Sequence, residues 1–203
     1  MRNSTMKLLI SPAKKMREED FLPPQTVPEF AGRAGELLAL LQKLPYAELK
    51  KLLACNDGIA RLNFERYRAM KLEEARTPAL LAYDGIQFQY MAPQLFTEPQ
   101  FAYVDEHLRI LSGFYGLLRP FDGVAPYRLE MQARLRAEPY QNLYEFWGDS
   151  LTAALERESS VIVNLASEEY AKAVRPHLGG NTRFYTCVFG ESISGAVSVP
   201  DQG

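Results

Sequence analysis

Val161-Ile162-Val163-Asn164-Leu165 constrains the fold more than any other stretch of this chain. Three β-branched residues in one apolar run, closed by small and polar residues, read as a buried strand. Lys7-Leu8-Leu9-Ile10 repeats the pattern and stops abruptly at Ser11-Pro12, and Phe184 to Phe189 is a last strand candidate. Helical spacings fill the intervals. Phe30, Ala34, Leu37, Leu38 and Leu41 recur at three and four after the proline-rich loop Phe21 to Pro28. Pro45 ends that helix and opens the next, with Leu49, Leu52 and Leu53 on its stripe. Asn56-Asp57-Gly58 breaks the pattern before Ile59, Leu62 and Tyr67 resume it, which predicts two short helices joined by a tight glycine turn. Strands alternating with helices predict an α/β fold, one domain with a central mixed sheet wrapped by helices.

Other stretches are less regular. Thr97, with Gln100 three residues on, predicts a capping box and a helix through Phe101, Val104, Leu108 and Leu111. Ser150 to Glu158 reads as helical, and Ser167 as the cap of a helix reaching Val174. Leu80 to Met91 is apolar and aromatic around Asp84-Gly85, which favours strand or turn. Ser112 to Pro126 is too rich in turn residues to be regular. Met1 to Thr5 reads as an extension before a start at Met6, and the tail from Ser192 as small and polar.

Composition narrows the function classes. The 203 residues are 47% hydrophobic and 24% charged, which suits one large core. A net charge of −2 excludes a globally basic nucleic-acid coat but leaves room for a local basic face. Cys55 and Cys187 are too few for a disulfide framework and fit a reducing compartment. No run approaches the roughly 20 apolar residues of a membrane span, and the N-terminus lacks a signal-peptide core. The expected location is the cytoplasm, with no membrane partner.

Three constellations can carry chemistry. Between Lys43 and Arg76, eight basic side chains face five acidic ones. A turn feeding a helix N-terminus exposes amides that suit a phosphate oxygen, and Lys50, Lys51 and Arg61 flank it. The same segment also reads as an ordinary hairpin with a solvated face. The second constellation is the strand ends. Ser11 and Lys14 follow one strand, and Asn164, Ser167 and Glu168 another, at the place where open α/β sheets collect ligands. An anion pocket and a plain strand stop with a helix cap are both open readings. Third, Arg109, Arg119, Asp122, Tyr127, Arg128 and Glu130 mark either a rigid polar loop or a structural Arg–carboxylate network. Trp147 reads as core.

Metal and nucleophile chemistry find little purchase. His107 and His177 are the only histidines, and His107 sits in a helical run as a surface residue. Neither cysteine has a histidine beside it in sequence, and no Gly-x-Ser-x-Gly elbow, Walker loop or Gly-x-Gly-x-x-Gly occurs. No cofactor and no metal are expected.

The ordered motifs resemble one family, the bacterial YaaA peroxide-stress proteins. They are Leu9-Ile10-Ser11-Pro12-Ala13-Lys14, His107-Leu108-Arg109-Ile110-Leu111-Ser112-Gly113, Tyr115-Gly116 and Leu118-Arg119-Pro120. They continue with Pro126-Tyr127-Arg128-Leu129-Glu130-Met131, Phe146-Trp147-Gly148-Asp149 and Asn164-Leu165-Ala166-Ser167-Glu168-Glu169-Tyr170. The similarity runs from about Met6 to Glu191. It implies a protein that limits peroxide damage and keeps unincorporated iron low, with a central sheet wrapped by helices and a positive cleft. It also implies a helix-hairpin-helix for double-stranded DNA over Leu49 to Arg66, which makes Lys50, Lys51, Asn56, Gly58, Arg61 and Arg66 the expected contacts. The cleft would be lined by Ser11, Lys14, Arg119, Tyr127, Arg128, Asn164 and Ser167. The family carries no settled reaction, so no catalytic residue transfers. The alternative is an enzyme acting on a small anionic or nucleotide-like ligand in that cleft. Family members continue into a basic segment with an Ala-Arg-Gly motif, which the tail from Ser192 does not contain.

Overall fold

The computed structural model describes residues 5–188 and the backbone of two short strands at 191–193 and 196–198. Its strands are β1 (Lys7–Ile10), β2 (Thr77–Pro78), β3 (Leu108–Ser112), β4 (Gly116–Leu118), β5 (Gly123–Val124), β6 (Val161–Asn164), β7 (Arg183–Thr186), β8 (Glu191–Ile193) and β9 (Ala196–Ser198). Its α-helices are α1 (Ala31–Lys43), α2 (Tyr46–Leu53), α3 (Asp57–Ala69), α4 (Ala79–Ala82), α5 (Ile86–Met91), α6 (Glu98–His107), α7 (Leu143–Trp147), α8 (Ser150–Glu158) and α9 (Glu168–Ala171).

Five strands form a mixed central sheet in the order β4-β3-β1-β6-β7. β1 lies in the middle, parallel to β3 on one side and β6 on the other, with Leu9 opposite both Arg109 and Asn164. β7 extends the parallel part, and β4 closes the other edge antiparallel. A strand hydrogen-bonded on both sides and covered on both faces has to be apolar. Leu9 and Ile10 are accordingly buried. The expected α/β architecture with a mixed sheet is the observed one.

The helix periodicity of α1 buries the expected Ala34, Leu37, Leu38 and Leu41. The Thr97 capping box is present, with the Thr97 amide donating to Gln100 Oε1 at 2.8 Å. Several readings need correction. The helix begun at Thr97 ends at His107, and Leu108–Ser112 is strand β3, buried at every position. Leu108 and Leu111 fit a helical spacing, but Ile110 between them is buried as well, and pairing with β1 satisfies the amides of the run. Conversely, Leu80 to Met91 is helical, as α4 and α5. Ala79-Leu80-Leu81-Ala82 is fully buried and made of strong helix formers, and Asp84-Gly85 only separates two helical turns. Within Ser112 to Pro126, β4 and β5 are short regular pieces. The helix after Ser167 is a single turn, ending at Ala171. His107 is not a plain surface residue: its Nδ1 lies 2.8 Å from the Met6 carbonyl. Phe189 and residues 1–4 fall outside the described residues.

An ionic cluster ties the sheet to α8. Glu158 lies 3.0 Å from Lys7 Nζ on β1 and accepts from Arg109 Nε on β3 at 2.9 Å. Lys7 and Arg109 are 6% and 5% exposed, so neither charge has water as an alternative partner. The Arg109 reading thus resolves to a structural network. Burial by itself would raise the Glu158 pKa, but Arg109 and Lys7 outweigh it and hold the carboxyl below its ordinary value.

At the other end, Trp147 donates Nε1–H to the Gly113 carbonyl at 3.1 Å and packs over Gly116. Gly116 has φ +77°, and a Cβ there would lie 2.8 Å from the Trp147 ring.

Two outcomes follow from these contacts. Glu158→Gln leaves two buried cations with one neutral partner and costs about 3 kcal/mol at pH 7 in urea denaturation. Because the folded carboxyl holds its proton less tightly than the unfolded one, this contribution is present above the ordinary carboxyl pKa. It is lost as pH falls through the folded value, so the two proteins converge in acid. Gly116→Ala combines left-handed strain with overpacking and costs about 2–5 kcal/mol, read from the same denaturation curves.

Candidate functional site

Two concavities meet at Arg128. The first lies beyond the carboxyl ends of β1 and β6, where the loops after two adjacent parallel strands diverge. Ser11 and Ser167 hold those loops together: Ser11 Oγ accepts the Ser167 amide at 2.9 Å and sits 3.3 Å from Ser167 Oγ. The resulting pocket is about 360 Å³, bounded by Ser11, Lys14, Tyr127, Arg128, Ser167 and Tyr170, with Glu130, Glu168 and Glu169 at its polar edge. Arg128 and Lys14 both reach Glu130 Oε1, at 3.1 and 3.4 Å, and Glu168 pairs with Arg175. Burial pushes the Glu169 carboxyl up, the Gln132 amide partly offsets this, and the Glu130 charge adds to it.

Below the pocket, Tyr127 is fixed by a chain of hydroxyls. Its OH lies 2.6 Å from Ser112 Oγ and 2.8 Å from Tyr83 OH, all buried. Ser112 Oγ also accepts the Phe114 and Tyr115 amides at 3.2 and 2.8 Å. Burial pushes the Tyr127 phenol up to about 12, so it stays neutral.

The second concavity is an open groove of about 970 Å³ between α2 and the extended segment that follows Arg128. Leu129, Met131, Ala133, Leu135 and Ala137 of that segment are buried, while Gln132, Arg134 and Arg136 between them are exposed. This period of two turns one face to the core and the other to the groove. Lys51 of α2 faces Arg134 and Arg136 across it, beside Arg128, with Glu48 and Glu130 as its acids. Among the described residues, Lys51, Arg134 and Arg136 have no carboxylate within 4 Å, so their charges are available to a ligand.

The hairpin between α2 and α3 departs from expectation. Its left-handed residue is Ala54, at φ 44°. Gly58 lies inside the first turn of α3 with room for a side chain, so the turn does not depend on glycine. Asn56 is the N-cap, its Oδ1 accepting the Ile59 amide at 2.9 Å. Lys50 and Arg61 are drawn to Asp57, at 3.1 and 3.4 Å. The Tyr46 hydroxyl, donating at 2.7 Å, and Lys50 hold the Asp57 pKa at about 2. Arg66 turns toward the protein interior and donates to the Met16 carbonyl. Of the expected contacts, Lys51 alone faces the groove.

In the cleft set, Ser11, Lys14, Tyr127, Arg128 and Ser167 come together, and Arg119 and Asn164 do not line the pocket. Arg119 is exposed on the turn after β4, with its amide bonded to Asp122 at 2.8 Å. Asn164 is 1% exposed and accepts the Ala166 amide at 3.1 Å, which shapes the loop under the pocket from within. The residues that sequence reasoning missed are Arg134 and Arg136. Their signal was present as the strict alternation of apolar and polar residues from Leu129 to Ala137.

The described residues contain no helix long and apolar enough to cross a membrane, and no group of three or more His, Cys, Asp or Glu placed to hold a metal. Comparison with known proteins gives the family. A UPF0246 protein of Desulfitobacterium hafniense is 53% identical over 193 residues, covering 95% of this chain and 77% of the relative. A UPF0246 protein of Pediococcus pentosaceus is 51% identical over the same length and shares. The family described as "Peroxide stress protein YaaA" matches residues 6–201, ten residues beyond the expected end of the similarity at Glu191. With nearly the whole chain matched in this way, the protein belongs to the YaaA family of peroxide stress proteins.

Proposed function

We propose that this peroxide stress protein acts in the cytoplasm, protects DNA and protein by holding unincorporated iron low, and binds double-stranded DNA along the groove between α2 and residues 128–136. The observation that supports DNA binding is the set of unpaired cations. Lys51, Arg134 and Arg136 line one groove of a chain whose net charge is −2. A phosphate backbone is the ligand such a groove attracts, and its contacts carry little sequence information. Lys50 and Arg61, held by Asp57, contribute less than the groove cations. The iron role rests on family membership, and no residue is assigned to it.

A fluorescence-anisotropy titration of duplex DNA tests the groove. Three phosphate contacts predict a log–log salt slope near roughly −2.7. A flat salt dependence would remove the phosphate model. Arg134→Glu/Arg136→Glu is expected to weaken binding at least about tenfold and to flatten the slope by about 2. Lys50→Glu/Arg61→Glu should change affinity less than about threefold, since those side chains already answer Asp57. The reverse ranking would return the contact to the hairpin.

A further inference from the structure

The strand-end pocket has chemistry that a duplex groove does not use. Its volume, about 360 Å³, lies in the range of roughly 300–1,000 Å³ that holds small ligands. Its lining charges nearly cancel: Arg128 and Lys14 share Glu130, Arg175 answers Glu168, and Glu169 is left half-buried without a cation within 4 Å among the described residues. A phosphate entering here would face three carboxylates, so an anion is poorly matched. Its walls include the rings of Tyr127 and Tyr170, with Pro12 and Leu129. The Tyr127 hydroxyl is engaged by Ser112 and Tyr83, so that residue offers no free phenol.

The polar groups that remain are one fixed donor, a hydroxyl and a carboxyl. Arg128 Nε–H is buried with no hydrogen-bond partner among the described residues, an arrangement that is costly unless a ligand atom completes it. Ser167 Oγ accepts from Ser11 and keeps its own proton to donate. Glu169 supplies the carboxyl. A neutral, flat molecule with donors and acceptors along one edge matches this set, and a nucleobase has that form.

We propose that the strand-end pocket binds a single nucleobase, held edge-on by Arg128 Nε, Ser167 Oγ and the Glu169 carboxyl against the Tyr127 and Tyr170 rings. The base can reach it in two ways: as a free base or nucleoside, or as an unpaired base of DNA in the groove, because both concavities share Arg128, Glu130 and Gln132. The second route rests on the groove reading, and the first does not.

The experiment has two arms, run on the full chain and on Glu169→Gln and Ser167→Ala, each checked for an unchanged melting temperature without ligand. In the first, adenosine, guanosine, cytidine, thymidine and their free bases are added at millimolar concentration, with inorganic phosphate and glycine as controls. A nucleoside or base is expected to raise the melting temperature by about 3 °C or more, with the shift lost in both variants. In the second, a paired duplex is compared with the same duplex carrying a single-nucleotide bulge. A base seated in the pocket makes the bulged duplex bind about tenfold tighter, and the preference disappears in the variants while paired binding is unchanged. A response in either arm that both variants abolish supports the pocket and identifies the source of the base. No shift with any nucleoside or base together with equal binding of the two duplexes overturns the proposal, as does a response that survives both variants or a shift with phosphate or glycine alone. Equal, salt-sensitive binding of the duplexes leaves the groove reading standing, and binding to neither duplex ends that reading without deciding the first arm.

Discussion

The Tyr67 hydroxyl decides where both concavities lie. From the buried face of α3 it donates to the Arg128 carbonyl at 2.6 Å and lies 3.3 Å from the Arg128 amide. A single oxygen thus satisfies donor and acceptor of one backbone residue in a segment that belongs to no strand. One residue earlier, Tyr127 is tied through Ser112 to the end of β3. Two consecutive residues are therefore fixed from opposite sides, one by the helical layer and one by the sheet. The extended segment leaves this clamp with its direction set, and its alternating side chains then sort themselves between core and groove. Burial pushes the Tyr67 phenol far up, so the clamp keeps its proton at neutral pH.

Charge distribution follows from the same geometry. The acids and bases of this chain are nearly balanced, so a positive groove exists only because many cations are neutralised elsewhere. Lys7 and Arg109 converge on Glu158 inside the fold, and Lys50 and Arg61 converge on Asp57 at the hairpin. The Asp57 carboxylate sits in the first turn of α3, where its charge favours the amide end of the helix. That arrangement stabilises the hairpin and leaves Lys50 and Arg61 already paired with Asp57. Among the described residues, the groove wall keeps Lys51, Arg134 and Arg136 without a carboxylate within 4 Å.

Much of the fold was legible in the sequence where the physics is local. Leu37, Leu38 and Leu41 repeat with a helix's period, Thr97 and Gln100 form a reciprocal cap, and Val161 to Asn164 is apolar enough for only one environment. The errors arose where two periods fit the same letters. Leu108 and Leu111 satisfy a helical spacing, yet β1 supplies an open strand edge that no local signal records. Ala79 to Ala82 is too short for its period to show. At the site, the positions of Ser11, Lys14 and Ser167 after β1 and β6 leave an anion pocket and a plain strand stop both open, and the family resemblance favours the pocket. Asn164, three residues before Ser167, is turned inward and accepts the Ala166 amide, while Arg119 lies exposed on the turn after β4. Which way a polar side chain faces after a strand depends on a turn's geometry, and composition does not encode it.

Arg128 is where groove and pocket become one problem. Its guanidinium has five donors in a rigid plane. One terminal nitrogen is committed to Glu130 at 3.1 Å, while Nε is buried without a partner among the described residues. A lysine here would carry the charge on three rotatable donors and lack the rigid planar fork. The carboxylate of Glu130 is what makes the division possible, because it holds the plane of the guanidinium while Lys14 holds the carboxylate. Lys14 comes from the loop after β1, Arg128 from the clamped segment, and both close on one oxygen. The pocket is thereby shaped by an ion triad that joins the central strand to the groove wall.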